Sequence, residues 1–468
     1  MIYTPRVYQN LIHDFGVEHE RCNIFASPGT GKTSSGYRIF DTLRMFGEAN
    51  RMLVLGPKRV AKNVWSAEQK KWMESFGHLK VAAAIGTPAQ RIAAVKSKPD
   101  VLCINYDNIE WLVEGYGDAW PFDMVLADES TRLKGLRIGM TSKGNIKGQG
   151  STRAKSLATV AHKRVRRWIN ATGSPTPNGI VDTWGCQWFV DGGKRLGTSF
   201  DAFQQRYFKS HQTPDGYSQL LPLAHAQAEI EAKMKDCSIT IDARDYFPIT
   251  EPIVRNVMVD LPPKARAAYL TMEKELFANI EQHAIEVFTA GSKANKLLQM
   301  ACGRVYYDRE GGWTDVHDEK IEALRSLVEE WNGERIMVRY LYRPDLERIL
   351  QAFPGARYLD DKQETEDAWN RGDIPILVAH AAGAGHGLSL QHGGRVLVDY
   401  GTDFNLEHDE QIIERIGPTR QYQSGYDRMV YRYRIIARDT IEELSCLPRI
   451  AHKMSVQDSF KLAMKHRR

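Results

Sequence analysis

Two tandem α/β domains, each built on a parallel sheet, with a small helical insertion, are the fold class predicted for this chain. Three observations predict it. Short apolar runs alternate with helix-period segments in the first third and again in the last third of the sequence, the pattern of strand–helix–strand units. The stretch between them is polar and helix-prone. The length of 468 residues suits about three units at roughly 150 residues each. Apolar residues at 42% and charged residues at 26% exclude a disordered chain, a collagen-like chain and a coiled-coil rod.

In the first series, Cys22 to Ala26 reads as a short strand that runs into a glycine-rich turn and a helix. Arg51 to Gly56 is a second buried strand, after which Ala61, Trp65, Trp72 and Phe76 recur at helical spacing. Val101 to Asn105, Met124 to Ala127 and Trp168 to Thr172 are further apolar runs. Gly185 to Tyr246 is polar, with a turn-rich stretch at His211 to Tyr217, and Leu261 to Gln299 is helical and amphipathic. Ile321, Leu324, Val328 and Trp331 mark a helix that opens the second series. Its strands are Arg335 to Leu341, Pro375 to His380, Arg395 to Tyr400 and Arg428 to Ile436. The expected division is therefore 1–185, first domain; 186–317, helical insertion and linker; 318–448, second domain; and 449–468, a basic and mobile tail.

No stretch approaches the ~18 apolar residues of a membrane span, and Met1 to Phe15 lacks the pattern of a secretory signal. The six cysteines are scattered without a C-x-x-C pair, so a reducing cytoplasm is the expected location, with no zinc site and no disulfide framework. The net charge of +5 is small, but its distribution is not even. Thr131 to Asn170 holds eleven Lys or Arg and no Asp or Glu, which reads as a polyanion footprint. Its glycines predict a flexible loop around Met140 to Gly150.

The chemistry begins at Ala26-Ser-Pro28-Gly29-Thr30-Gly31-Lys32-Thr33, directly after a strand and before a helix. Glycines let backbone N–H groups converge on phosphate oxygens, and the helix N-terminus adds positive potential. Lys32 would neutralise the β- and γ-phosphates and Thr33 would bind Mg²⁺. The motif usually opens with Gly; here Ala26 stands in that place. Asp123 to Thr131 is an apolar strand ending in two carboxylates. Asp128 suits the metal and Glu129 suits the orientation or deprotonation of an attacking water.

These two motifs resemble superfamily II helicases and translocases. Gln9 resembles the adenine-reading glutamine upstream of the phosphate loop. Gly56-Pro57-Lys58, with Arg59 beside it, and Asn105-Tyr106 resemble DNA-contacting segments of the first domain. Ala171-Thr172-Gly173-Ser174-Pro175 and Asn178 resemble the segment that couples nucleotide state to movement. The second half is similar to the Swi/Snf-type translocases: Gly385-His386-Gly387-Leu388-Ser389-Leu390; Asp403-Phe404-Asn405 with Asp409 and Gln411; Val430-Tyr431-Arg432; and Thr440-Ile441-Glu442-Glu443. The match runs in order over about residues 1 to 445, and its compact form resembles phage-encoded members, which places the expected cytoplasm in an infected bacterial host.

The resemblance implies two RecA-like domains with ATP and Mg²⁺ held between them, and a nucleic-acid-dependent ATPase that moves along duplex or branched DNA. Gln9, Pro28 to Thr33, Gly387 and Gln411 would bind the nucleotide. Lys58, Arg59, Tyr106, Lys143, Lys147, Arg153 and Lys155 would meet nucleic acid. Trp65, Trp72, Trp184 and Trp188 read as core side chains before base-stacking platforms. Arg415 and Arg420 are both candidates for the arginine finger, because Gly417-Pro418-Thr419 alters the family spacing. Three other readings stay open at this point: an RNA or branch-migration helicase of the same superfamily, a non-translocating nucleic-acid-binding ATP switch, and a module recruited by a partner nuclease or a recombination or replication protein.

Overall fold

The computed structural model describes residues 1–140, 146–212, 218–282, 290–308, 311–360, 362–380 and 388–465. They form two compact units: residues 1–209, 220–246 and 455–468, and residues 210–219 and 247–454. Each unit contains a parallel sheet with helices around it, a RecA-like domain.

The first sheet has seven strands in the order Ser238–Ile241, Arg21–Ala26, Arg167–Thr172, Met124–Asp128, Met52–Gly56, Val101–Asn105 and Val81–Ala83. All pairings are parallel. Every residue of Met52–Gly56, Val101–Asn105 and Met124–Asp128 is buried, as expected of strands covered on both faces. Phe25, Leu53, Leu55, Leu102, Ile104, Val125 and Ala127 share one apolar core with Trp168, Trp184, Trp188 and Phe189. Trp65, Trp184 and Trp188 are thus core side chains, and Trp72 packs edge-on against Tyr3.

The second sheet has six parallel strands: Ile253–Val259, Tyr431–Ala437, Val396–Asp399, Ile336–Tyr340, Ile376–His380 and Ala356–Tyr358. Alternate residues of its central strands feed two cores. Ile336, Val338, Val378 and Val398 enter one, and Met337, Leu377, Ala379 and Leu397 the other.

Three parts differ from the sequence reading. The segment 186–317 is shared between the units, and it supplies a strand to each sheet, Ser238–Ile241 and Ile253–Val259. Around Met140 to Gly150 the described backbone is an antiparallel hairpin, Leu136–Met140 against Ile146–Gly150, where a flexible loop was expected. The stretch 449–468 holds most of the helix Leu447–Ala463, in which Gln457 and Phe460 are fully buried, and Phe460 and Met464 join the first unit's core. Phe460 lies 5.6 Å from the ring of Phe25. Spacing of three or four residues puts these side chains on one helical face, so Arg449, Lys453 and Lys461 lie on a docked helix and not on a tail.

A buried imidazole gives the second unit an acid-sensitive point. His317 is 6% exposed. Its Nε2 lies 3.1 Å from the Met300 carbonyl and its Nδ1 accepts the Glu319 N–H at 3.3 Å. That pairing needs the neutral ring, with the proton on Nε2. Burial, with the charges of Lys320 and Arg348 nearby, pushes the pKa down to about 4. The unfolded chain therefore binds more protons than the folded one between pH 4 and about 6.5. Stability from this group is complete above about pH 6.5 and is lost as pH falls towards 4, about 3 kcal/mol in all. Urea titrations at pH 7.5 and 5 should show a smaller acid penalty for His317→Gln than for the natural chain.

Candidate active site

Three adjacent strands of the first sheet end at the candidate site. Arg21–Ala26 runs into the phosphate loop, Arg167–Thr172 lies beside it, and Met124–Asp128 lies beside that. The register sets Phe25 opposite Thr172 and Asp128 opposite Ala171. Residues far apart in sequence are thus delivered to the carboxyl ends of neighbouring strands, where open α/β sheets bind ligands.

The phosphate loop bends through Gly29 and Gly31, both at φ +79°. At Gly31 a side chain is excluded twice, by the left-handed backbone and by the Gln9 amide nitrogen, which occupies the position of a Cβ. Gln9 is buried; its Nε2 donates to the Thr30 carbonyl at 3.2 Å and its Oε1 accepts the Arg6 N–H at 2.9 Å. Thr30 is buried and donates its hydroxyl to the Ser27 carbonyl at 2.7 Å. Lys32 and Thr33 open the helix Lys32–Met45, and Lys32 Nζ donates to the Ala26 carbonyl at 2.8 Å. The ammonium is therefore held over the loop whose phosphates it would neutralise. Gly173 lets the end of the strand Arg167–Thr172 come close to the loop, since a Cβ there would lie 3.2 Å from Pro28 Cδ.

Asp128 is 6% exposed, with Oδ2 accepting the Trp65 indole N–H at 3.3 Å. Burial, then the adjacent Glu129 charge, pushes its pKa up to about 6, against the pull of Lys32 and the indole N–H. A buried carboxylate destabilised in its charged form is relieved by a cation. Glu129 sits in the left-handed region at φ 56°, ψ 55°, a strained position for a non-glycine residue. Its Oε2 accepts the Thr172 hydroxyl at 3.2 Å, and Thr172 Oγ1 in turn accepts the Ser174 N–H at 3.2 Å. The residues present fit a magnesium nucleotide: a lysine on a glycine loop, a hydroxyl at Thr33 and a carboxylate at Asp128. Magnesium would supply positive charge to the phosphates there. Among the described residues no group of three or more His, Cys, Asp or Glu side chains could hold a metal alone, and a nucleotide-bound magnesium does not need one.

In the second unit, segments quoted separately from the sequence meet in one buried network. Arg339, Asp399, Asp409 and Arg432 are each at most 4% exposed. Arg339 Nε lies 3.1 Å from Asp399 and its Nη1 3.3 Å from Asp409. Arg432 reaches Asp399 at 2.7 Å and Asp409 at 2.5 Å, and Arg434 reaches Asp409 at 3.0 Å. These ties fasten the helix Leu406–Ile413 to three strands. A second buried pair, Lys320 and Glu442 at 2.6 Å, holds the closing segment, with Glu442 also accepting the Thr402 and Ala437 N–H groups. Gln411, on the anchored helix, is buried and donates to Glu407 at 3.1 Å.

The two candidate arginines have different surroundings. Arg415 is buried at 5% exposure and donates to the Gln411 carbonyl at 3.0 Å and the Leu388 carbonyl at 3.4 Å. Arg420 is half-buried on the short helix Pro418–Gln423 and donates to Ser389 Oγ at 3.2 Å. Among the described residues its Nε is buried without a hydrogen-bond partner, and burial pulls its pKa down. Gly417 makes the turn possible, since a Cβ there would lie 2.9 Å from the Ile413 carbonyl.

The nucleic-acid candidates divide. Gly56 pairs with Asn105 across adjacent strands, so Lys58 and Arg59 emerge beside the turn Tyr106–Asn108. Lys58 is exposed and Arg59 half-buried. Arg153, on the helix Thr152–Ala161, reaches Asp107 on that turn at 3.1 Å, and Lys155 is half-buried on the same helix. Tyr106 itself is a correction. It is 3% exposed and donates its hydroxyl to the Asp128 carbonyl at 2.8 Å, so it braces the carboxylate strand from inside and does not face a nucleic acid. Lys143 and Gly387 lie outside the described residues, as does the side chain of Lys147. Sequence reasoning missed the Trp65–Asp128 contact and the Arg339 network; an indole at helical spacing and an arginine inside an apolar strand carry no signal of their partners.

No family model matches the chain. It is 44% identical over 468 residues to protein p41 of Acyrthosiphon pisum secondary endosymbiont phage 1, covering 99% of both chains. It is 22% identical over 501 residues to DNA repair and recombination protein RAD54 of Oryza sativa subsp. japonica, covering 92% of this chain and 48% of that one. With the ordered motifs and their geometry, these relatives decide the family. The chain belongs to the Swi/Snf-type superfamily II ATPases. It spans about half the length of the rice relative. Among solved structures, the Sulfolobus solfataricus SWI2/SNF2 ATPase core in complex with dsDNA is 18% identical, with a TM-score of 0.44 over 99% of this chain and 94% of that one.

Proposed function

We propose that this Swi/Snf-type ATPase hydrolyses ATP in response to DNA and converts hydrolysis into movement along, or remodelling of, duplex or branched DNA. The observation that carries the reading is the convergence of the phosphate loop, Asp128–Glu129 and Thr172 at three neighbouring strand ends, with Glu129 tied to Thr172. A protein that only bound nucleotide would need no water-orienting carboxylate. In this reading Lys32 and Thr33 hold phosphates and Mg²⁺, Asp128 serves the metal, Glu129 activates water, and Gln9 reads the base. Lys58, Arg59, Arg153 and Lys155 supply a basic edge for the DNA backbone. The name of the rice relative, a DNA repair and recombination protein, supports DNA as the partner. The phage source of p41 supports the cytoplasm of an infected bacterium as the location; no helix among the described residues is long and apolar enough to cross a membrane.

The test is ATP turnover in the presence of duplex DNA, single strands, forks and RNA, followed by displacement of a third strand from a DNA triplex. Duplex or fork DNA should stimulate turnover most, and the third strand should be released only with hydrolysable ATP. Stimulation by RNA alone, or turnover without displacement, would overturn the reading.

A further inference from the structure

Trp65 has a burial and a polar contact that core packing alone does not require. The strand Met52–Gly56 pairs with Met124–Asp128, and a π-helical turn, Val60–Val64, leads from its end into the helix Trp65–Lys71. This places the indole, fully buried at 0% exposure, between the helix that carries Lys32 and the strand that ends at Asp128. Tyr37, on the Lys32 helix, fixes it from that side. The Tyr37 hydroxyl donates to the Trp65 carbonyl at 2.9 Å, and the two rings meet edge-on at 4.9 Å. Gly36 makes the room: a Cβ there would lie 2.8 Å from both Trp65 Cη2 and Leu126 Cδ1. The position leaves Nε1–H aimed at Asp128 Oδ2, 3.3 Å away.

A buried indole N–H usually finds some acceptor, and a backbone carbonyl would serve a packing role equally well. Here the acceptor is the carboxylate proposed for the metal. The chemistry of the donor also matters. A lysine or arginine in this place would neutralise Asp128 and compete with a divalent cation. An indole N–H holds one oxygen and restrains the carboxylate's rotation while leaving its charge intact. Partners that orient a metal ligand in this way typically set metal affinity by about 10–100-fold.

We infer that Trp65 is a positioning residue that holds Asp128 ready for the magnesium of MgATP, with Gly36 and the ring of Tyr37 seating the indole. The inference rests on the reading of the phosphate loop and Asp128 as an MgATP site. The experiment measures equilibrium binding of a fluorescent, non-hydrolysable ATP analogue to the full chain, in excess EDTA and across a magnesium titration. In Trp65→Phe, which keeps a ring and removes the N–H, metal-free affinity should stay within about twofold, while the magnesium needed for half of the affinity gain should rise about tenfold. Tyr37→Phe removes a buried hydrogen bond to the Trp65 main-chain carbonyl but keeps the ring that seats the indole and leaves the indole donor, so its magnesium requirement should stay natural. Gly36→Ala, which crowds the indole without removing it, should move the requirement in the same direction as Trp65→Phe, and it provides the reading if the phenylalanine variant does not fold. An unchanged magnesium requirement in the variants would overturn the inference. So would equal losses of metal-free and magnesium-dependent binding, or a Tyr37→Phe shift as large as that of Trp65→Phe, because these are the marks of packing. Natural protein whose nucleotide affinity ignored magnesium would overturn the MgATP reading itself, and the inference with it.

Discussion

Glu129→Gln should lower DNA-stimulated ATP turnover by about 10²–10⁴-fold, the usual contribution of a general base, while ATP binding persists. The substitution keeps the shape of the side chain and an oxygen that can accept from Thr172, whose hydroxyl lies 3.2 Å from Glu129 Oε2. It removes the negative charge, and with it the ability to take a proton. The backbone at φ 56°, ψ 55° is costly for either side chain by about 1–3 kcal/mol, so the cost cancels between the two forms and stability should hardly change. Lys32→Ala provides the contrast. It removes the ammonium that lies 2.8 Å from the Ala26 carbonyl over the phosphate loop, so nucleotide binding itself should weaken. Single-turnover hydrolysis and equilibrium binding on both variants separate the roles. Turnover by the glutamine variant within a few-fold of natural protein would remove Glu129 from the chemistry.

Which parts of this molecule could be read in advance follows from what each residue's surroundings are made of. The central strands, such as Met52–Gly56 and Ile376–His380, were legible because burial on both faces leaves a continuous apolar run. The edge strands Val81–Ala83 and Ala356–Tyr358 are three residues long and partly exposed, and Ile253–Val259 is exposed over its Val254–Asn256 stretch. Such segments carry neither an apolar run nor a clean alternation. The phosphate loop and Asp128–Glu129 were legible because their chemistry needs fixed spacings. Tyr106 was not, because its role depends on a carbonyl 22 positions away in the chain. Arg339, Asp399, Asp409 and Arg432 look like surface residues singly; only the parallel register of three strands, with Arg339 opposite Asp399 and Asp399 opposite Arg434, shows that they neutralise one another inside the fold. The C-terminal stretch was misread as a tail because its lysines and arginines dominate the composition, while Phe460 and Met464, the residues that dock it, are few.

Arg420→Ala should abolish most turnover, and Arg415→Ala should act through the fold of its segment. The family resemblance assigns an arginine of this segment to the γ-phosphate of ATP and leaves two candidates. Their surroundings favour Arg420. The Arg415 guanidinium is committed to main-chain carbonyls, at Gln411 and Leu388, within its own unit. Withdrawing it would strand those acceptors, a penalty of about 1–3 kcal/mol for each buried group left unpaired. Among the described residues Arg420 makes one hydrogen bond, to the Ser389 hydroxyl, with Glu414 and Glu366 as the charges near it, and its Nε is buried without a hydrogen-bond partner. A buried, unpaired guanidinium nitrogen costs stability, and an incoming phosphate oxygen would offset that cost. Gly417 and Pro418 start the short helix Pro418–Gln423 that carries it, and Gln421 clamps that helix through bonds to the Gln391, Gly394 and Ile416 carbonyls. Arg420 is thus presented from a fixed support. An arginine finger is worth about 10³–10⁵ in rate, or roughly 4–7 kcal/mol of transition-state stabilisation, whereas an exposed ion pair is worth about 1 kcal/mol at most. DNA-stimulated turnover, ATP affinity and urea unfolding should therefore be measured on each variant. Arg420→Ala should lose at least about a thousandfold in turnover with ATP binding and stability retained, and Arg415→Ala should show its largest change in stability. The reverse pattern, in which Arg420→Ala turns over within a few-fold of natural protein, would make Arg415 the finger.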